Sequence, residues 1–490
     1  MPTHGAVGTP VTIEGQGFST TPGSNTVEFN GTAAVVTAAT ATTLSTSVPA
    51  GATTGKISVA VGAQNAVSDD DFVVDGTGEP PTIASFSPTV GSVGTSVTVI
   101  GTYLYPIPNQ TSAAINNWKT APTSATDTQV QFAVPANAGS GKVSITTPHG
   151  TGVSAADFIV APPGISVASV SVSTRVAIGS APSSITIPAG TYGVILFDAP
   201  GGSWLSIQFS GITSTASTIS YTVYDTQNHK VTSGTISSSS RTIHLPQLGP
   251  VSGTYSVWIT PNTAPATINF AIQADPILST TDNGVSVGAT YAGQGERLIF
   301  RAKPGSNMSL GMNSFSATSG SASFQVFDNY NVWVANGSCS TSPVNGCGLD
   351  LKTLKGGTYK VIVSPGTVTN LISFVALVSN NLGGTLTPDT QISGNISRRG
   401  QTATYTFNAT AGQVFAFQAT GGTTTPSGQL TWYYIYKPNG ALLVNSYSSG
   451  YEILNTGVLT LSGVYQVYVV PNYGLPLTEQ VALISGVTGT

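Results

Sequence analysis

The sequence predicts an all-β chain, a string of five β-sandwich domains, and three observations carry that prediction. Only 7% of the 490 residues are charged, against about 25% in an average soluble protein. The outer faces of long helices need Glu, Lys and Arg, and here they cannot be built. Ser and Thr make up about a quarter of the chain and are joined by 56 Gly and 30 Pro, the composition of many short strands linked by turns. Finally, the chain repeats itself at two different periods, and a length of 490 residues exceeds what one hydrophobic core organises.

The first two domains, 1–76 and 80–161, are copies of each other. Pro2, Gly8-Thr9, Val11-Thr12, Val48-Pro49-Ala50, Gly55-Lys56 and Asp71-Phe72 recur as Pro88, Gly94-Thr95, Val97-Thr98, Val134-Pro135-Ala136, Gly141-Lys142 and Asp157-Phe158, every pair separated by 86 positions. The second copy opens on a strand-like lead-in, Pro81 to Ser87, whose counterpart falls before Met1. The first domain is therefore expected to be truncated at its N-terminus. No charged n-region and apolar h-region follow Met1, so export signals are expected upstream. Thr9-Val11-Ile13 and Thr95-Val97-Val99 alternate on one strand face, and Asn30-Gly31 between two apolar runs reads as a type I′ hairpin turn.

These copies resemble the IPT/TIG family of immunoglobulin-like domains. The resemblance rests on Pro88 to Gly94, the Gly-Thr-x-Val-Thr-x-x-Gly segments at Gly8 and Gly94, Val48-Pro49 and Val134-Pro135, and the closing Asp-Phe-x-Val at Asp71 and Asp157. It implies modules of surface receptors, bacterial secreted proteins or some transcription factors. The acidic balance, 15 Lys and Arg against 19 Asp and Glu, offers no field for phosphates and argues against nucleic acid.

After Ala161-Pro162-Pro163-Gly164 the period lengthens to about 105, giving domains 165–275, 276–380 and 381–490 of a size that supports a sandwich each. Each carries Phe-x-Ala (Phe197, Phe300, Phe407), an aromatic strand (Tyr221 to Tyr224, Phe324 to Phe327, Tyr433 to Tyr436) and a closing Gly-x-Tyr that alternates to a Pro (Gly253, Gly357, Gly463). Period two at Tyr255, Val257 and Ile259 puts the Tyr and the aliphatics on one buried face. A Tyr at a strand start can also pin the preceding turn through its hydroxyl. This pattern resembles bacterial pre-peptidase C-terminal domains. That resemblance implies jelly-roll-like sandwiches acting as extracellular accessory modules, some of which bind insoluble polymers.

Catalytic and metal chemistry is not indicated. His4, His149, His229 and His244 share no metal-ligand spacing, and no nucleophile elbow or phosphate loop is present. Asp69-Asp70-Asp71 is the one acidic cluster, but consecutive residues point to opposite strand faces and the second copy has Ala at two of the three positions. No cofactor, metal or catalytic residue is therefore expected, and the chain is expected not to be an enzyme. The two cysteines, Cys339 and Cys347, are expected to close a Pro/Gly-rich loop as a disulfide, which fits an oxidising compartment. Apolar runs such as Leu371 to Val378 fall far below the roughly 20 residues of a membrane helix, so no membrane insertion is expected.

Aromatic side chains are the remaining route to a binding face. Trp118 stands at a hairpin tip where the first copy has Thr32. It is available either to a ligand or for packing against the neighbouring domain across Gly76 to Pro80. In Trp432-Tyr433-Tyr434-Ile435-Tyr436, comparison with the sister units assigns Tyr433 and Ile435 inward, leaving Trp432, Tyr434 and Tyr436 outward. The expected ligand contacts are thus Trp118, Trp432, Tyr434 and Tyr436.

The function expected is that of a non-catalytic stalk and interaction region of a large bacterial secreted or cell-surface protein. Two alternatives stand beside it: a carbohydrate- or matrix-binding adhesin, and the accessory region of a larger secreted enzyme or toxin. Partners would be a surface glycan or protein, or further copies of the chain through unprotected sheet edges. Paired prolines in the first two linkers favour an extended arrangement. Ala274-Asp275-Pro276 and Asn380 to Gly383 read as less stiff connections.

Overall fold

The computed structural model describes residues 2–75, 79–106, 110–236, 241–367 and 369–486. Met1 and Gly76–Gly78 of the first linker lie outside the described residues. The strands form ten sheets, paired in chain order into a string of sandwiches, and the helical segments among the described residues are single 3-10 turns.

In the first unit a five-stranded sheet runs His4–Ala6, Gln64–Asp75, Gly55–Val61, Thr26–Phe29, Thr32–Ala34, against a three-stranded sheet of Pro10–Glu14, Thr43–Ser47 and Ala38–Ala39. The second unit repeats this plan and adds the lead-in as strand Thr82–Ser87, paired antiparallel with Ser96–Thr102. The recurring motifs turn out to be partners across strands. Gly55 and Lys56 lie opposite Phe72 and Asp71, and Gly141 and Lys142 lie opposite Phe158 and Asp157. The Lys56–Asp71 and Lys142–Asp157 ion pairs both measure 3.5 Å. A repeat of 86 in the sequence is thus a repeat of one sheet register.

The three longer units share one topology. In the third unit one sheet is ordered Val170–Arg175, Tyr192–Ala199, Gly253–Pro261, Ile219–Tyr224, Lys230–Ile236, and the facing sheet Ser183–Ile187, Ala266–Ala274, Leu205–Ser214, Arg241–His244. The fourth and fifth units repeat both orders. Phe-x-Ala and Gly-x-Tyr are again two sides of one register: Phe197 faces Tyr255, Phe300 faces Tyr359 and Phe407 faces Tyr465. Each pair of rings is stacked, with centroids 5.8, 5.1 and 5.3 Å apart, the geometry that adds to simple area burial. The Tyr359 hydroxyl donates to the Lys355 carbonyl at 2.5 Å and that of Tyr465 to the Leu461 carbonyl at 2.8 Å, pinning the turn before each strand. Tyr255 keeps the stack with no such bond among the described residues. Cys339 and Cys347 are joined by a disulfide with a Cα–Cα distance of 5.1 Å. Both are buried in the core of the fourth unit.

Candidate functional site

Because the three longer units share a register, their outward-facing residues can be compared position by position. On the third unit, Val194 and Leu196 of strand Tyr192–Ala199 and Trp258 of strand Gly253–Pro261 point outward yet are at most 1% exposed. Ile159 and Ala161 of the second unit cover them, with Tyr192 and Tyr224 packed at the edge. Polar groups frame this apolar contact. Asn116 chelates the backbone of Thr254, its Nδ2 donating to the carbonyl and its Oδ1 accepting from the N–H, both at 2.8 Å. Arg175 donates to Asp157 from Nε at 2.9 Å and to Asp198 from a terminal nitrogen at 2.6 Å.

Trp118 belongs to this joint. Its indole Nε1 donates to the Thr226 carbonyl at 2.8 Å, and its half-buried ring packs on the core of its own unit. The neighbour it meets is the third unit, whereas the sequence pointed to the first. A hairpin tip shows which side chain projects but not which neighbour lies beyond it. The indole N–H is used in holding the joint.

At the joint of the third and fourth units, position 194 is occupied by Arg297, 4% exposed. Its Nε donates to Asp275 at 2.6 Å, and its terminal nitrogens donate to the carbonyls of Leu245 at 2.6 Å and Leu205 at 2.9 Å. The same Asp275 accepts from the Ser206 hydroxyl at 2.5 Å. The connection Ala274-Asp275-Pro276, read from the sequence as pliable, is therefore clamped through its Asp. At the joint of the fourth and fifth units, Arg398 donates to the carbonyls of Thr280 and Asp282, at 2.9 and 2.6 Å. Arg399 donates to Asn313 at 2.7 Å and to the Val344 carbonyl at 3.2 Å. Asn381 is pinned likewise, donating to Asp350 at 2.9 Å. Between these side chains the main chains touch directly: a Cβ on Gly348 would lie 2.6 Å from the Gly400 Cα and 2.7 Å from that of Gly474.

The fifth unit leaves the equivalent outer face open, and it is aromatic. Trp432, Tyr434 and Tyr436 project outward from strand Thr431–Tyr436 and are half-buried, while Tyr433 and Ile435 point inward, 2% and 0% exposed. The rings of Trp432 and Tyr434 are near-parallel with centroids 6.2 Å apart, and those of Tyr434 and Tyr436 are 6.4 Å apart. Two further rings extend the face. Tyr447 lies opposite Trp432 at 4.7 Å, and Tyr468 meets Tyr436 edge-on at 5.4 Å. Sequence reasoning did not single out these two, although the period of two that buries Tyr465, Val467 and Val469 also turns Tyr468 outward.

One end of the face is walled by the fourth unit. A cavity of about 330 Å³ lies among Tyr434, Tyr436, Gln466, Tyr468 and, from the fourth unit, Asp350 and Lys352. Burial, then the Asp350 carboxylate and Tyr436, push the Tyr468 phenol above its ordinary range. The combination offers ring faces for C–H groups and, beside them, one carboxylate, one ammonium and one amide for hydroxyls. Among the described residues, no group of three His, Cys, Asp or Glu side chains is placed to hold a metal ion. Among the described residues, no helix is long and apolar enough to cross a membrane.

The register separates what the joints need from what the fifth unit adds. Tyr224, Phe327 and Tyr436 are equivalent, as are Trp258, Ile362 and Tyr468, so these two positions are apolar in all three units. Where the fifth unit has Trp432, Tyr434 and Tyr447, however, the third has Ser220, Thr222 and Thr235, and the fourth Ser323, Gln325 and Ser338.

Comparison with known proteins identifies the first two sandwiches. The IPT/TIG domain family matches residues 1–74 and 81–160, so the N-terminal part of the chain consists of two IPT/TIG domains. No curated protein matches the chain. Among solved structures, the chain is similar to the plexin A4 extracellular region, at 16% identity over 33% of this chain and 17% of that one, with a TM-score of 0.21. It is also similar to the surface glycan-binding protein PbSGBP-B from Prevotella bryantii, at 13% identity over 55% of this chain and 94% of that one, TM-score 0.20. A third is SGBP-B from a complex xyloglucan utilization locus in Bacteroides uniformis, at 14% identity over 76% and 96%, TM-score 0.18. No ligand or partner follows from likeness of this degree.

Proposed function

We propose that this chain is a non-catalytic interaction region of a bacterial secreted or cell-surface protein, and that it contacts carbohydrate through the outer face of its fifth unit. The observation that carries this reading is the trio Trp432, Tyr434 and Tyr447. Sister units that dock against a neighbour do so with Ser, Thr or Gln at these positions, so the aromatic rings exceed what a joint requires. Contiguous apolar surface of this kind costs solubility unless something covers it, and near-parallel rings bordered by hydrogen-bonding groups suit the C–H faces and hydroxyls of sugars.

The remaining architecture fits a scaffold. Arginines and a carboxamide, buried or half-buried, hold the last four units to one another, which orients the aromatic face relative to the second IPT/TIG domain. We read the three longer units as sandwiches of the pre-peptidase C-terminal kind, because their Phe-x-Ala and Gly-x-Tyr segments form one stacked register. The disulfide supports an oxidising, extracellular setting.

Binding to a panel of immobilised polysaccharides tests the proposal. At least one neutral polysaccharide is expected to retain the chain, and Tyr434→Ala or Trp432→Ala should abolish retention without changing the melting temperature. Retention that survives both substitutions would overturn the assignment of this face.

A further inference from the structure

A second cavity, of about 550 Å³, opens at the joint of the third and fourth units, within the range of small-molecule sites, about 300–1,000 Å³. Its floor is Arg297, whose guanidinium is fixed by Asp275 and two carbonyls and lies 5.1 Å from the centre of the Trp204 ring. With its hydrogen bonds already directed to the protein, this floor is a rigid support. Trp204 and Phe327 contribute aromatic wall, and Gln247, Asn329 and Asn331 bring amide groups to the rim.

Charge distinguishes this cavity from the one on the fifth unit. Among the described residues that line it there is no carboxylate. Arg297 is neutralised by Asp275 at 2.5 Å. His244, bonded through Nδ1 to Ser206 at 2.8 Å, is held by burial and by Arg297 down to about 4 and is neutral at pH 7. Lys360 is left as the cation facing the space, with its ammonium donating to the Asn331 side chain. Burial, then Arg297, push that ammonium below its ordinary range, and Asp328 offsets this only in part. An anion bound in the cavity would relieve this deficit.

We infer that this cavity binds a carboxylate-bearing saccharide, a uronic acid residue whose carboxylate meets Lys360 while its hydroxyls meet Asn329, Asn331 and Gln247. The aromatic wall takes the apolar face of the ring, and the amides both donate and accept, as hydroxyls require. The inference does not depend on the aromatic face of the fifth unit.

Calorimetric titration of the whole chain at physiological salt, with a galacturonic acid trisaccharide and with its carboxyl-reduced neutral counterpart, tests it. The acidic form is expected to bind at least about tenfold more tightly, the scale of one charge-assisted hydrogen bond. Lys360→Gln should erase that preference, and Asn329→Ala at the exposed rim should weaken both forms. Equal affinity for the two sugars, no binding of either, or a preference that survives Lys360→Gln would each overturn the inference.

Discussion

The outer sheet of the third unit and that of the fifth are the same surface put to opposite uses. Trp258 and Tyr468 occupy one position, and so do Val194 and Thr404. Trp258 and Val194 are sealed beneath the second unit, whereas Thr404 and Tyr468 stay half-buried and the rings beside them reach solvent. The fourth unit stands between these extremes, with Arg297 buried at position 194 and a cavity over the rest. One fold thus supports a closed joint, a partly closed joint with a cavity, and an open face, and the choice is made by a few side chains on alternate positions of two strands.

The largest effect that would break this comparison is expected at the partly closed joint. Arg297→Ala leaves Asp275 buried without its partner and should destabilise by about 3–5 kcal/mol, seen by calorimetry as a lowered transition for the third and fourth units. Next, Trp258→Ala empties the sealed face and should cost about 3 kcal/mol. The same change at Trp432 should stay within about 0.5 kcal/mol, as at an ordinary surface site. Equal losses in urea denaturation would show that the two faces are covered alike.

The cores differ as well, and pH sharpens that difference. Ile268 and Phe374 of the third and fourth units correspond to Glu479 in the fifth. Glu479 is 2% exposed, and its carboxyl accepts from the Tyr433 hydroxyl at 2.7 Å. Burial raises its pKa from 4.5 to about 7. Between those values the unfolded chain gives up its proton before the folded one does, so the fifth unit should lose stability as pH rises from 4.5 to 7 and regain it on acidification. The amplitude is of the order of 3 kcal/mol. Melting of Glu479→Gln across that range should be flatter than that of the parent chain. The smallest effect is at equivalent carboxamides 86 positions apart. Asn116→Ala should cost about 1–3 kcal/mol by stranding the Thr254 backbone. Asn30→Ala, which loses bonds to Thr53 and Thr54 on an exposed edge, should cost about 0.5 kcal/mol or less.

What the sequence revealed follows the same division. Registers within a unit are local and periodic, so the Lys142–Asp157 and Phe407–Tyr465 pairs lay behind visible repeats, and alternation around Tyr433 placed Trp432 and Tyr434 outward. The joints were not legible. Their key residues, Arg175, Arg297, Arg398 and Arg399, repeat at no fixed period, and what each touches depends on how two finished sandwiches come together. Trp118 shows both sides of this: its projection could be read from the hairpin, its partner could not. Asp275 and Asn381 sit in stretches that look like loose connections, and only their distant partners make them clamps.

The contact of Gly348 with Gly400 and Gly474 bears on how the last two units transmit force. Side chains between domains act as compliant pads, bending through their rotamers before any load reaches the main chain. At this point no pad exists, and main chain presses on main chain across the boundary. A push on the fifth unit, such as tension from a held polymer, would pass at this spot straight into strand Cys347–Thr353 of the fourth. The angle at which the aromatic face is carried is accordingly fixed by three missing methyl groups, and adding any one of them would act as a wedge that tilts the whole terminal unit.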